Sequence, residues 1–120
     1  MGATNILLRQ VALPAGTSAD ETMSTPIDLS GLSQAVVWVT GAGVTSSGVV
    51  TLEEADYDPA KEAAYGGTWS AITTVNASDV TGGATKAVHL PAYALPRWLR
   101  VRVSTAIGGG GSITVTVTGS

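Results

Sequence analysis

Alternation between apolar and polar residues near the C-terminus constrains the fold of this chain more than any other feature. In the segment RWLRVRVST, residues 97–105, the apolar residues Leu99, Val101 and Val103 occupy every second position. In the segment ITVTVTG, residues 113–119, isoleucine and valine alternate with threonine. Successive side chains of a β-strand point to opposite sides of a sheet, so each segment has one apolar and one polar face. The intervening IGGGGS predicts a turn, and the two segments together predict a β-hairpin with one face on a hydrophobic core.

Short segments of similar character recur along the chain, separated by glycine, proline, asparagine and serine. Besides the two C-terminal segments, the predicted strands cover residues 6–13, 27–29, 34–40, 49–54, 68–75 and 86–90. Seven or eight strands without an internal repeat or a linker predict one all-β domain over residues 1–120, a β-sandwich of the jelly-roll type. The segment QAVVWVT, residues 34–40, is apolar on both faces and is predicted to be a central strand.

The aromatic residues limit what can fill the core, because the chain has three tryptophans, three tyrosines and no phenylalanine. Trp38 lies in the predicted central strand, so the tryptophans are expected to contribute to the core. Trp98 differs, since it alternates with Arg100 and Arg102 on the predicted outer face. Tryptophan is a typical anchor of protein interfaces, and an exposed ring also offers a sugar a surface to stack on. Trp98 is therefore a candidate binding residue of either kind.

The acidic stretch EEADYDPAKE, residues 53–62, contains five of the nine acidic residues of the chain. Asp56 and Asp58 are carboxylates of the type that binds calcium, but the glycine and final glutamate of an EF-hand loop are missing. A glycosidase needs two carboxylates that face each other across a cleft, which adjacent residues of one loop do not provide. Asp58 suits a helix N-cap and Pro59 suits the first helical position. The stretch therefore predicts one short capped helix at residues 58–66 and no metal site.

Signatures of catalysis are absent from the sequence. His89 is the only histidine, and there is no cysteine. The Gly-x-Ser-x-Gly elbow that presents the serine nucleophile in many hydrolases does not occur. Gly41-x-Gly43 is too short for a dinucleotide-binding fingerprint. We predict a protein that is not an enzyme and that binds no cofactor.

The low content of charge bears on the partners of the chain. Charged residues make up 12% of it, against about 25% in an ordinary globular domain. Small side chains lose little conformational entropy when they are covered, and interfaces are depleted in lysine and glutamate, so the composition favours a surface that other protein covers. A secreted β-domain rich in threonine and serine fits the composition equally well. The net charge of -3 argues against nucleic acid as a partner, and no segment approaches the ~20 apolar residues of a membrane span.

The C-terminal strand and the two charged clusters suggest where an interface lies. The strand carries no lysine, glutamate or proline, which usually protect a sheet edge from further pairing, so it is predicted to be an open edge that a neighbouring subunit covers. The acids at 53–62 and the arginines at 97–102 are predicted to attract each other between copies. The candidate interface residues are Arg97, Trp98, Arg100, Arg102, Asp56, Asp58, Thr114 and Thr116.

Two segments carry a resemblance to a known family, GVVTLEEADYDPAKEAAYGGTWSAITTVNASDV and RWLRVRVSTAIGGGGSITVTV. They combine a strand that ends in acids, a strand that opens with Gly67-Thr68-Trp69, and an Arg-Val strand followed by a Thr-Val strand. In these features the chain resembles the small β-sandwich proteins of tailed-bacteriophage virions, above all the head decoration, or cement, proteins. The resemblance extends over most of the chain.

The resemblance implies a structural virion protein that performs no chemistry. Such a protein is expected to be a homotrimer on the outer capsid surface, where it binds major capsid protein subunits and stabilises the shell. An N-terminal arm at residues 1–10, around Thr4 to Arg9, is expected to contact the shell or a sister subunit. The same sequence features occur in phage tail and fibre proteins, so the alternative is a carbohydrate-binding or receptor-binding β-sandwich module. That alternative predicts that Trp98 or a tyrosine lies exposed beside polar groups.

Overall fold

The computed structural model describes residues 6–13, 21–22, 26–55 and 69–120. Within these ranges most of the chain is strand. The strands are β1 (Ile6–Leu13), β2 (Glu21–Thr22), β3 (Ile27–Asp28), β4 (Ala35–Ala42), β5 (Ser47–Ala55), β6 (Ser70–Asn76), β7 (Thr85–Leu90), β8 (Trp98–Gly108) and β9 (Ser112–Gly119). Two short 3₁₀ segments, Ala77–Gly83 and Ala92–Ala94, lie on either side of β7.

The strands form two antiparallel sheets that pack face to face. One sheet, the threonine sheet, has the order β1-β9-β4-β7, and the other, the arginine sheet, has the order β2-β8-β5-β6. The short strands β2 and β3 both pair with β8, as two pieces of one edge. Apart from the steps from β2 to β3 and from β5 to β6, each connection between these strands crosses from one sheet to the other. This is the arrangement of a jelly roll, and the prediction of an all-β sandwich of that type is confirmed.

Two predicted features near the ends of strands fall partly or wholly outside the described residues. The short helix at 58–66 lies outside them, as do Asp56 and Asp58. Residues 6–10 of the predicted N-terminal arm belong to β1, which pairs with β9 from Ile6↔Gly119 to Leu13↔Ile113. Residues 1–5 are outside the described part of the chain.

The predicted C-terminal hairpin is wrong, because β8 and β9 lie in different sheets. The glycines between them carry the chain across the sandwich as an arch, with Gly109 at φ +102° and Gly110 at φ +86°. In a hairpin the two apolar faces would lie side by side, whereas in the arch they face each other across the core. Alternation is the same in both cases, so it cannot distinguish them.

The prediction that the last strand is an open edge is also wrong. Strand β9 is an interior strand, paired with β1 on one side and with β4 on the other. A strand that is hydrogen-bonded on both sides needs no protection from further pairing. The missing lysine, glutamate and proline therefore reflect an interior position in the sheet rather than a vacant edge.

The core between the sheets is aliphatic among the described residues. Its fully buried members come from both sheets and include Val37, Val39, Val50, Leu52, Leu99, Val101, Val103, Ile113, Val115 and Val117. Burial of each such side chain stabilises the fold by about 1.5–3 kcal/mol relative to exposure.

The expectation that tryptophans fill the core is wrong. Trp38 is 38% exposed on the outer side of the threonine sheet, and Trp69 and Trp98 are half-buried. Valine, leucine and isoleucine side chains from two facing sheets fill an intersheet gap of about 10 Å, so aromatic side chains are not required there. The aromatic rings are thus available to the outer surfaces.

Candidate interaction surfaces

The outer surface of the arginine sheet, the arginine face, is built on the alternation of β5 and β8. Pairing of Glu53 with Arg100 and of Thr51 with Arg102 places these four side chains on the outer side. The Glu53 side chain is only 8% exposed between the two arginines. Arg100 Nε donates a hydrogen bond of 2.7 Å to Glu53 Oε1, and Arg102 Nη1 lies 3.5 Å from Glu53 Oε2. One buried carboxylate thus holds both guanidinium groups.

Two tryptophans border this cluster. The guanidinium carbon of Arg100 lies 4.4 Å from the centroid of the Trp69 ring, a cation–π contact. The Nε1 atom of Trp98 is buried and has no hydrogen-bond partner among the described residues. The predicted outward position of Trp98, Arg100 and Arg102 on one face is what the structure shows.

Arg97 is exposed at the entrance to β8, near Asp28 of the edge strand β3. The Ser30 side chain and backbone amide donate hydrogen bonds to the Asp28 carboxylate at 2.7 and 2.9 Å. These bonds, with a smaller contribution from the charge of Arg97, hold the pKa of Asp28 below its ordinary value. The carboxylate therefore closes a local turn beside the arginine face.

The expectation that the acids at 53–62 serve as a complement for the arginines of another copy is wrong for Glu53. Its carboxylate is satisfied within the chain by Arg100 and Arg102, which face it from the adjacent strand β8. The role of Asp56 and Asp58 remains a prediction, since both lie outside the described residues.

Replacement of Glu53 by glutamine is expected to lower the free energy of unfolding by about 1–3 kcal/mol, because both guanidinium groups lose a charged acceptor that is itself buried. Urea denaturation followed by tryptophan fluorescence measures the loss. The matched control is Glu54→Gln, since Glu54 has no ion pair or hydrogen bond within the described residues. That change is expected to cost less than about 0.5 kcal/mol. Equal losses in the two variants would contradict the role given to Glu53.

The outer surface of the threonine sheet, the threonine face, lies on the opposite side of the sandwich. Strand register places its members in outward positions: Leu7, Gln10, Ala12, Val36, Trp38, Thr40, Thr85, Ala87, His89, Thr114, Thr116 and Thr118. Thr114 and Thr116 are thus on the side away from the arginines, and the eight candidate interface residues do not form one surface.

Hydrogen bonds between side chains tie the threonine face together. Trp38 Nε1 donates to Thr118 Oγ1 at 3.2 Å, and Gln10 Nε2 donates to Thr116 Oγ1 at 3.2 Å. The hydroxyls of Thr40 and Thr85 are 2.9 Å apart. These contacts fix small polar groups in place around an exposed indole.

Among the described residues, no carboxylate, ammonium or guanidinium group occupies an outward position of the threonine face. The two cations of its strands, Arg9 and Lys86, pair with Val117 and Val39, whose side chains point into the core. Lys86 is near Asp79, with Nζ 3.7 Å from Oδ2. The absence of charge is therefore a property of this face and not only of the whole composition.

Sequence reasoning missed an open cleft of about 470 Å³ at one end of the sandwich. Glu54 at the end of β5, Ala71 and Ile72 of β6, and the segment 93–96 line it. Tyr93 is 93% exposed. The only available signal was a tyrosine held between Pro91 and Pro96 in a strand connection. The residues of the cleft are too far apart in sequence to be associated by spacing.

Neither a metal centre nor a membrane span is found in the described ranges. No group of three or more histidine, cysteine, aspartate or glutamate residues there could hold a metal ion. No helix in those ranges is long and apolar enough to cross a membrane.

Comparison with known proteins reveals likeness only at the level of the fold. No model of a protein family matches the chain, and no curated protein matches its sequence. Among solved structures, the PBSX exported protein XepA matches 98% of this chain with a TM-score of 0.56 and 18% identity. A chain in the structure of black queen cell virus matches 97% of it with a TM-score of 0.55 and 9% identity. The matches span 37% of the XepA chain and 66% of the viral chain.

Proposed function

We propose that this chain is a structural protein of a virus particle that decorates the outer surface of a phage capsid. It binds neighbouring major capsid protein subunits as an oligomer, a homotrimer, and stabilises the shell by bridging them. The jelly-roll order of its sheets supports a viral structural role, as does the likeness of its fold to a chain of black queen cell virus. The resemblance of its sequence to phage decoration proteins supports the finer assignment.

The observation that carries the proposal is the threonine face. Desolvation of hydroxyls that already have a hydrogen-bond partner on the same face costs less than desolvation of charges. Threonine and alanine also lose little side-chain entropy when a partner covers them. At the centre of this face Trp38 is 38% exposed, and tryptophan is the residue type most enriched among the anchors of protein interfaces. Such a surface suits a protein partner.

The position of the two faces supports bridging. The threonine face and the arginine face lie on opposite sides of the sandwich, so one molecule can contact two neighbours at once. Several modest contacts made together raise the apparent affinity by ~100-fold or more. Attachment at several points would therefore hold the shell without any single strong site.

A glycan-binding module is the second candidate, and one observation favours it. Tyr93 is 93% exposed at the cleft, which Glu54 also lines. An aromatic ring beside a hydrogen-bond acceptor is the arrangement that this function needs. The two functions differ in the ligand that they predict for the purified protein.

We expect the purified protein to sediment as a trimer at micromolar concentration and to co-sediment with phage capsids that lack a decoration protein. Analytical ultracentrifugation measures the mass, and pelleting with the capsids measures attachment. A glycan array with wild type and Tyr93→Ala tests the second candidate in parallel. A monomer that does not pellet with capsids would rule out decoration, and a glycan signal lost in Tyr93→Ala would favour the module.

A further inference from the structure

Among the described strands, β6 is the least protected edge of the sandwich. Its sequence, SAITTVN, contains no charged residue and no proline. In the described part of the chain β5 pairs with one side of β6, and no strand pairs with the other. The remaining edges carry charge, with Arg9 on β1, Lys86 on β7 and Asp28 on β3. An uncharged edge with unpaired backbone groups is a template for one more strand.

The cleft begins at the same edge. Ala71 and Ile72 of β6 form one wall, and the segment 93–96 forms the other. Ile72 and Leu95 pack against the core beneath them and present an apolar surface. A strand laid along β6 would therefore pass the cleft and could place a side chain in it.

The charge of the cleft indicates which side chain fits. Glu54 has no cationic partner among the described residues, in contrast to its neighbour Glu53. The Tyr93 ring is nearly fully exposed at the rim. A carboxylate, an aromatic ring and an apolar wall suit a side chain with an aliphatic stem and a cationic end, namely lysine or arginine.

We propose that the β6 edge and its cleft bind an extended segment of a partner protein that carries a basic residue. The backbone of the segment pairs with Ser70–Asn76, and its lysine or arginine enters the cleft toward Glu54 and Tyr93. A sugar fits less well, because only Glu54 and Tyr93 bring polar side-chain atoms to the described lining. The site depends on the proposed function only in the identity of the partner protein. If that function is correct, the segment belongs to a capsid subunit.

The test uses the intact, ¹⁵N-labelled protein and a heptapeptide probe, acetyl-TVTRTVT-amide, followed by NMR. The amide signals of Ser70–Asn76 and Tyr93 are expected to shift saturably, with a dissociation constant below about 1 mM. A matched peptide with citrulline in place of arginine keeps the shape and removes the charge. It is expected to bind at least about fivefold more weakly, as is usual for loss of a charge-assisted contact.

Three variants, one of them a control, test whether that preference arises in the cleft. Glu54→Gln is expected to remove the difference between the two peptides, whereas Asp79→Asn, which removes an equal charge elsewhere, is expected to preserve it. Tyr93→Ala, at a fully accessible position that does not support the fold, is expected to weaken the arginine peptide about threefold. Thermal melts of the three variants verify that each is folded.

Several results would overturn the site: no saturable shift at about 10 mM peptide, shifts confined to other strands, or equal affinity of wild type for both peptides. A glycan that shifts Tyr93 where the peptides do not would also overturn it, in favour of a sugar site. Peptide binding by a protein that fails to pellet with capsids would leave this site standing and reject decoration. Pelleting without a peptide response would reject this site alone.

Discussion

A glutamate in place of Thr116 is expected to reduce attachment to capsids at least about 100-fold while the fold is retained. Thr116 lies on the interior strand β9 directly opposite Trp38 on β4, at the centre of the threonine face. A carboxylate there would be buried in the interface without a cation, since no charged group of the described residues faces outward on that sheet. The cost of that burial falls on the complex and not on the free protein, where position 116 meets solvent.

The measurement is a pelleting titration against undecorated capsids, with a thermal melt of each variant. Thr105→Glu is the matched control, because Thr105 is exposed on β8 in the other sheet. It introduces the same charge into a strand of the same kind, but on the arginine sheet, whose outer face already carries Glu53, Arg100 and Arg102. It is therefore expected to weaken attachment less than Thr116→Glu does. If Thr116→Glu pelleted as well as Thr105→Glu, the threonine face would not be the contact with the capsid.

The parts of the fold that follow from local pattern were predictable from sequence. Period-two alternation located most strands, and the outward direction of Arg100 and Arg102 followed from the inward direction of Val101 and Val103. These features depend only on the geometry of a single strand, in which alternate side chains point to opposite sides. Strand β8 illustrates this, with its apolar residues buried and its polar residues outside.

The parts that depend on strand partners were not predictable in the same way. Alternation does not reveal which strands are neighbours, and so β9 resembled an edge although β1 and β4 flank it. Trp38 resembled a core residue because the central strand has apolar residues on both sides, yet its outer side meets solvent. An apolar residue on an exposed sheet face is compatible with either location until the second layer is known.

The candidate surfaces also differ in how far they could be predicted from the sequence. The arginine face arises from adjacent strands and could be predicted in part from the sequence. The pairing of Glu53 with two arginines could not, because it depends on the register of β5 against β8. The cleft joins a strand end, an edge strand and a loop that are separated by tens of residues. Only the jelly-roll topology associates them, and no spacing rule in one sequence supplies that topology.

Replacement of Gly109 by alanine, in the arch between β8 and β9, is the second change for which we expect a large effect. A Cβ atom at Gly109 would lie 2.7 Å from the Val44 carbonyl oxygen and 2.8 Å from the Ser46 amide nitrogen. Both are backbone atoms of the β4–β5 connection, which is itself hydrogen-bonded to the arch through Gly111 N to Val44 O at 2.7 Å. The φ of +102° adds strain for any residue with a side chain.

We expect Gly109→Ala to lower the free energy of unfolding by at least about 3 kcal/mol, because backbone strain of about 1–3 kcal/mol adds to the displacement of a packed loop. Gly110→Ala is the matched control, since φ is also positive there but nothing lies within 4 Å of the added carbon. It is expected to cost about 1–2 kcal/mol from strain alone. Urea denaturation of both variants measures the difference.

The comparison of the two glycines separates the arch from the hairpin that the sequence alone suggests. At the tip of a hairpin both residues would project into solvent, and the two alanine variants would lose similar, small amounts of stability. In the arch, Gly109 lies against the β4–β5 connection while Gly110 does not, so the losses must be unequal. Equal losses would contradict the arch and, with it, the interior position of β9 on which the threonine face depends.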